Sequence, residues 1–550
     1  NGTTGTRTTA SVTPASGNLD IFAINGTASG SFRLATYHAG PALNLATLEG
    51  LQETLLSEIR TAHTFVAAAS YFSRLAAAGD TAHVAYKQPL TNYITSLVEL
   101  GGAYWDDMLT SASFVGVGIQ GITVPLRDGM TALTNNNFVS GDLNQLIGLK
   151  GDGSTKYLDT GYIDSDLAQN NGSLSVYVDT PSSINGTFYA GTTSAGNTGT
   201  FLRRRVTNPQ LNVHGFLVDV GTAIIDGLVG VSRTSSTSVN ARTNQTNYSF
   251  TDTSTTPTSD ALQIFARQST SISDPRLATY HAGPALNLAT LEGLQETLLS
   301  EVAAVEAAAA AENYFARLVT AGDTTHTAYK TPITNYFTGL FQNNLWDKLE
   351  SSALFVGVGI QGVTVPLRDG MTVPTNNNFV AGDLDQLTGL KGDGSTKSLD
   401  LGLNNNDFTL GDASFGVYIT ETDTSLNEYI GTGNVANRSS LGSRFINSDI
   451  YTFNANQCPA IFETIAAYPI GFYATSRSSG AAYSRLINGT TSVRSAAAST
   501  PGADPVSVFS GGGNAFWSSA RLATYHAGAA LNLATLEALQ DTLITEIAAI

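Results

Sequence analysis

From Pro41 the apolar positions recur at helical steps. Leu48, Leu51, Leu55, Ile59, Ala62 and Val66 lie three or four apart, with Glu49, Gln52, Glu53 and Glu58 off the stripe, which predicts an amphipathic helix. A second copy carries Leu291, Leu294, Leu298, Val302, Val305 and Ala309. The stripe is narrow, so it fits a short coiled coil, a parallel trimer or dimer, and equally well a helix lying on its own domain. A further helical stretch follows each copy, AYKQPLTNYITSLVEL from Ala85 and AYKTPITNYFTGLF from Ala328, with proline near its start, where a missing N–H costs little. Trp105 and Trp346 come next, in matching WDD and WDK contexts, and are expected to plug a hydrophobic junction between helices and strands.

Beyond the helices the pattern changes to short alternating runs separated by Gly, Asn and Ser-Thr clusters. LSVYV, GTFYAG, GFLVDV and LQIFAR form one set; GVYIT, IYTFN, GFYAT and VSVF form another. Regular short strands without helical interruptions or disulfides predict an antiparallel β-sandwich. The expected fold class is mainly β with α connectors, in tandem sandwiches separated by short helical segments.

The tandem arrangement is visible in the letters. RLATYHAGPALNLATLEGLQETLLSE starts at Arg33 and again, unchanged, at Arg276, and RLATYHAGAALNLATLEALQDTL starts at Arg521. The spacing is domain-sized, far longer than the ~20–50 residues of a solenoid repeat. A second near-identical stretch begins FVGVGIQG at Phe114 and at Phe355 and runs through VPLRDGMT to KGDGSTK. NGTTGTR at Asn1 matches NGTTSVR at Asn488. The partition that follows makes 1–32 the C-terminal strands of a preceding sandwich, 33–112 a helical connector and 113–275 a sandwich. It makes 276–353 a second connector, 354–520 a second sandwich and 521–550 the first helix of a following connector. On this reading the chain is a window on a longer repeat, or its ends are completed by neighbouring copies head to tail.

VPLRDGMTVPTNNNFVAGDLDQLTGLKGDGSTKSLDLG, the GFYATSRSS strand, and the DIFAING and LQIFARQ strands leading into RLATYHAGPALNLATLEGL together resemble virion structural proteins of tailed bacteriophages, often marine or cyanobacterial phages. The modules of that family are concanavalin A-like (laminin G-like) jelly rolls joined to short helices. The resemblance implies a tail fibre or virion appendage protein, located in the virion or outside the cell. Its partners would be copies of itself, other virion proteins and a host surface glycan. A cell-surface adhesin or filament subunit of the same architecture is the alternative, and a carbohydrate-active enzyme on the same fold is a weaker one.

Net charge is −17, and LRRR at Leu202–Arg205 is the densest basic cluster, so neither nucleic acid nor an anionic membrane is an expected partner. The longest apolar run, from Val302, is broken by Glu306 and Glu312 before the ~18 residues of a membrane span, and no membrane insertion is expected. The single cysteine, Cys458, reads as a buried side chain.

Chemistry is sparse. Glycosidases of this fold need two carboxylates, commonly spaced E-x-D-x-x-E; ETDTSL offers Glu421 and Asp423 but then Leu426, and DTPSSI from Asp179 lacks the set. The protein is therefore expected not to be an enzyme. KGDGSTK, at Lys150 and Lys391, puts lysine after Ser-Thr and reads as a glycine-mediated hairpin instead of a phosphate loop. No pair among His38, His63, His83, His214, His281, His326 and His526 has metal-ligand spacing on one helix, and the YHAG histidines read as turn or packing residues. The loops IDSDLAQNN from Ile163 and GLNNNDFTLGD from Gly402 offer oxygen ligands of the kind calcium takes; no other cofactor is expected. Sequons at Asn25, Asn171, Asn185, Asn437 and Asn488 are attributed to composition. No catalytic, cofactor-binding or metal-binding residue is assigned.

Overall fold

The computed structural model describes residues 23–24, 28–29 and 44–550, apart from 193–198, 206–208, 216–217, 222–225, 268–270, 424–426, 433–438, 445–448, 454–460, 465–469, 496, 499 and 512–515. It divides into two compact units, Asn1–Leu299 and Ser300–Ile550. His38, Cys458, Asn25, Asn437 and Leu426 fall outside the described residues.

In the first unit, helix α1 (Leu45–Ala77) starts at Asn44, whose side chain accepts the Thr47 N–H at 3.2 Å, satisfying one of the free donors of the first turn. Helix α2 (Lys87–Leu100) buries Leu90, Tyr93, Ile94, Leu97 and Val98 and packs on α1. Two antiparallel sheets follow. One has the order Thr246–Thr251, Ser238–Thr243, Gly227–Arg233, Gly172–Thr180, Arg276–Gly283, Gly148–Lys150, Leu143–Asn144, with Thr110–Ser113 also paired to Arg276–Gly283. The other has the order Val218–Asp219, Gln210–Asn212, Phe201–Arg203, Phe188–Thr192, Ala261–Ile264, Tyr157–Ile163, Thr134–Asn136.

The core between the sheets is centred on Phe114, whose ring lies 6.1 Å from Tyr280 in one sheet and 6.3 Å from Phe265 at the end of a strand in the other. Phe265 has φ +68°, and its counterpart Phe509 has φ +67°. The left-handed region costs a non-glycine residue about 1 kcal/mol, which burial of a whole phenyl ring at 0% exposure outweighs.

The second unit repeats this plan. It has helix α4 (Lys330–Gln342), the strand order Leu384–Asp385, Gly389–Lys391, Arg521–Gly528, Ala413–Glu421, Gly471–Arg477, Ala482–Ile487, Thr490–Ser495 in one sheet, and a seven-stranded partner sheet. Phe355, Tyr525 and Phe509 make the same aromatic cluster, with ring separations of 5.7 and 6.0 Å from Phe355. Both units thus have the two-sheet, jelly-roll-type sandwich with α connectors that the strand pattern predicts.

RLATYHAG does not open a helical connector with a turn; Arg276–Gly283 and Arg521–Gly528 are strands in the middle of their sheets. Leu277, Ala278, Tyr280 and Ala282 are all buried, as are Thr279 and His281. A strand covered on both faces has no in-out alternation to betray it, and the helical pattern starts only after Pro284.

The helix after that strand lies on its own domain. Helix α3 (Leu288–Thr320) has its first turns in the first unit, where Leu291, Gln295 and Leu298 are 0–1% exposed. Glu292 accepts the Leu228 N–H at 3.0 Å and pairs with Arg242. In the second unit, helix α5 (Leu533–Ala548) buries Leu536, Gln540, Leu543 and Ile547 against α4 and the strands Gly471–Arg477 and Ala482–Ile487. A Cβ on Gly339 of α4 would lie 2.3 Å from the Leu539 side chain, so Leu539 of α5 packs directly against the α4 backbone.

Candidate functional site

The near-identical stretches meet at one node in each unit. Asp80, just after α1, accepts the N–H groups of Ala82 at 2.8 Å, His83 at 3.3 Å and Gly118 at 2.9 Å. Asp323 does the same for Thr325 and Gly359, at 2.8 Å each. A Cβ on Gly121 would fall 2.1 Å from the Asp80 carboxylate, and one on Gly362 would fall 2.4 Å from that of Asp323, so the glycines of GVGIQG are the room those aspartates occupy. Arg74 donates to the carbonyls of Pro125 and Leu126, and Arg317 to those of Pro366 and Leu367, holding the VPLRDG turn. His83 and His326 stack on Phe72 and Phe315 at 5.8 and 5.6 Å. Trp105 and Trp346 are 4% and 8% exposed, and Trp346 packs between Phe337 and Phe341, filling the junction as expected.

The two carboxylates that suggested glycoside hydrolysis are both engaged by the protein. Glu421 pairs with Lys391 at 2.5 Å and Arg521 at 3.5 Å, which hold it below its ordinary pKa against the opposing effect of burial. Asp423 is 1% exposed and accepts from Ser519 N at 2.6 Å, Ser519 Oγ at 2.9 Å, Ser518 Oγ at 3.0 Å and Asn427 Nδ2 at 2.5 Å. Burial alone would raise this carboxyl, but the four donors lower it.

KGDGSTK is not a hairpin. It carries the chain from Gly148–Lys150 in one sheet to Tyr157–Ile163 in the other. Asp152 accepts the N–H groups of Ser154, Thr155 and Lys156 at 2.9, 2.8 and 3.0 Å, Asp393 repeats this arrangement, and Lys156 and Lys397 pair with Asp142 and Asp383. The donors a phosphate would need are spent on the aspartate.

The YHAG histidines His281 and His526 are strand residues. Burial pushes His281 down to about 4 and His526 down to about 3, so both are neutral packing groups. His63 lies in α1. His214 is 0% exposed at φ +45°, 3.2 Å from buried Asp164. Burial would raise Asp164, but His214 and the Thr258 N–H at 2.9 Å keep its carboxyl below the ordinary range. Asp166 and Asp407 turn back onto the N–H groups of Ile163 and Asn404. The oxygen atoms of these loops thus serve the backbone, and among the described residues no three His, Cys, Asp or Glu side chains gather as a metal set. No described helix is long and apolar enough to cross a membrane.

Asn488, flagged as a sequon, is at φ +40° followed by Gly489 at +78°, the paired left-handed residues of a tight hairpin; Asn171 Oδ1 accepts the Ala285 N–H at 2.9 Å. Within LRRR, Arg203 lies over Phe188 at 5.2 Å, and Arg267 lies over Phe188 and Phe201 at 4.9 and 5.0 Å. By strand register, Phe188 and Phe201 correspond to Glu428 and Ser440 in the second unit, so the same buried positions differ in chemistry between copies.

The sequence pattern did not single out a groove of about 480 Å³ in the first unit, between the hairpin Ser238–Thr251 and residues 285–288. Asn240 pairs with Ser249 and Arg242 with Asn247 across the hairpin. Ser249 Oγ donates to Asn240 at 2.9 Å, and Arg242 donates to Asn247 Oδ1 at 2.8 Å. The opposite wall is fixed by Tyr104, whose hydroxyl donates to the Asn287 carbonyl and accepts its N–H, and by Ser232, which does the same for Leu286. The alternating polar letters of SVNART and TNYSFT mark a hairpin with one polar face; that the face lines a groove depends on the distant 285–288 segment.

No family model matches the chain, and no curated protein matches it. Among solved structures it is similar to domain 4 of an extracellular arabinanase from Geobacillus stearothermophilus in complex with arabinotriose, at 12% identity over 34% of this chain and 98% of that one, TM-score 0.26. It is also similar to mouse laminin α1 chain domains LG4-5, at 11% identity over 69% and 87%, TM-score 0.20, and to the binding domain of botulinum neurotoxin serotype D, at 9% identity over 70% and 72%, TM-score 0.27. The class of the protein rests on its own sheets: it is a tandem β-sandwich protein with helical connectors.

Proposed function

We propose that this chain is a non-enzymatic, repetitive structural protein of an extracellular fibre, of the tail-fibre or virion-appendage kind, that presents its sandwiches to a host glycan. The observation that carries the reading is where sameness and difference fall. The near-identical letters supply the Asp80 and Asp323 nodes and the central strands Arg276–Gly283 and Arg521–Gly528. The divergent letters supply exposed strand positions, such as Asn247 and Ser249 against Thr491 and Val493. A module repeated for its mechanics keeps its internal docking and is free to vary what it displays. The engagement of Glu421 and Asp423 supports the non-enzymatic part.

Light scattering and negative-stain microscopy of the 550-residue chain over a range of concentrations test the structural part. Oligomers or filaments are expected, and a monomer at every concentration would overturn it. Incubation with neutral and acidic oligosaccharides tests the other part, where hydrolysis abolished by Glu421→Gln or Asp423→Asn would establish an enzyme.

A further inference from the structure

We infer that the groove between the hairpin Ser238–Thr251 and residues 285–288 is a binding site for a neutral saccharide. The inference rests on the glycan-facing part of the reading above and gives it a place and a chemistry. The volume, about 480 Å³, is that of an ordinary small-ligand cleft. Among the lining side chains, Thr234, Asn240, Asn247, Ser249, Leu286 and Leu288 are all uncharged. Leu286 and Leu288 supply apolar surface for the C–H faces of a sugar ring, while the amides and hydroxyls supply donors and acceptors for its hydroxyl groups.

The amide orientation follows from the hydrogen bonds. Arg242 can only donate, so the Asn247 oxygen faces it and the Asn247 Nδ2 group is left to donate to a ligand. Arg242 is in turn neutralised by Glu292, and Glu296 lies beside it, bonded to Gln245. None of the lining residues is a cation that would attract a carboxylated or sulfated sugar, and the two glutamates disfavour one. The walls are satisfied by their own bonds to Tyr104 and Ser232, so the cleft is preformed and binding requires little ordering.

The second unit lacks the site. By register, Ser484 stands for Asn240, Leu486 for Arg242, Thr491 for Asn247 and Val493 for Ser249. Val493 is 68% exposed, so there an apolar side chain replaces the hydroxyl. The molecule thus holds its own template for a silent groove.

The test uses the 550-residue chain on an array of neutral and acidic oligosaccharides, followed by calorimetric titration with the neutral sugar that binds best. Asn247→Thr with Ser249→Val, which copies the second unit, is expected to weaken that sugar at least tenfold with the melting profile unchanged, while Thr491→Ala leaves it as it was. Undiminished binding by the double variant, or preference for acidic sugars, would overturn the inference. Filaments that bind no array sugar would overturn it while sparing the structural reading; a strict monomer that binds through Asn247 and Ser249 would do the reverse.

Discussion

Ser182 donates to Asp274 Oδ1 at 2.5 Å across 92 residues of chain, and the second unit makes the same tie with the partners exchanged. There the carboxylate is Asp423, at the place of Ser182, and the hydroxyl is Ser519, at the place of Asp274. Ser183 reinforces the first version through its N–H at 2.9 Å and its hydroxyl, and Ser518 reinforces the second. The tie pins the loop before the central strand to the end of its neighbour, and either side can carry the charge.

Exchangeability is testable. Asp423→Ser should destabilise the second unit by about 1–3 kcal/mol, because the buried donors of Ser518, Ser519 and Asn427 lose a charged acceptor. Adding Ser519→Asp rebuilds the arrangement of the first unit and should recover most of the loss. Calorimetric melting of wild type, both single variants and the double variant closes the cycle; simple additivity would show that the two positions are not coupled.

The node at Asp80 predicts a contrast between two glycines. In Gly121→Ala the methyl would sit 2.1 Å from Asp80 Oδ2 and 2.9 Å from Leu75 and Val117, and overpacking of this kind costs about 1–3 kcal/mol. Gly141 has open space at its Cβ position, so Gly141→Ala should change stability by less than about 0.5 kcal/mol. Equal urea midpoints for the two variants would contradict the node.

Leu55 and Leu298 occupy the same position of identical segments but are 44% and 1% exposed. Leu298→Ala should therefore cost about 2–5 kcal/mol, and Leu55→Ala less than about 1 kcal/mol. Similar losses in thermal unfolding would mean that the helix face is not what holds α3 on its sandwich.

Acid sensitivity follows from the buried histidines. In the unfolded chain an imidazole titrates near ~6.5, whereas burial depresses His281 to about 4 and His526 to about 3. Below pH ~6.5 the unfolded state takes up protons that the native state refuses. Stability is full above that pH and drains as pH falls toward 4, by up to ~1.4 kcal/mol per unit for each histidine. The depressed carboxyls of Asp274 and Asp423 add a further loss below the ordinary carboxylate range, near pH ~4. Urea midpoints between pH ~7 and ~4.5 measure the slope; His281→Asn should flatten it, and an unaltered slope would place the sensitivity elsewhere.

The amino-acid sequence alone determined the helices, most strands and the two-sheet class, because those depend on periodicities of a few residues: the three-and-four spacing from Leu291 to Leu298 and the alternation of LSVYV. It also placed the buried tryptophans and the absence of a complete Glu421–Asp423 pattern. Only the tertiary structure decided that RLATYHAG is a central strand, since a segment covered on both faces carries no alternation. It also laid the first turns of α3 against their own sandwich, a docking that the stripe by itself does not specify, since it serves a coiled coil equally well. The Ser182–Asp274 tie and the groove beside Asn247 lay beyond the letters for a simpler reason. Each is made by segments far apart in the chain, and only the closing of the sandwich brings their side chains within hydrogen-bonding distance.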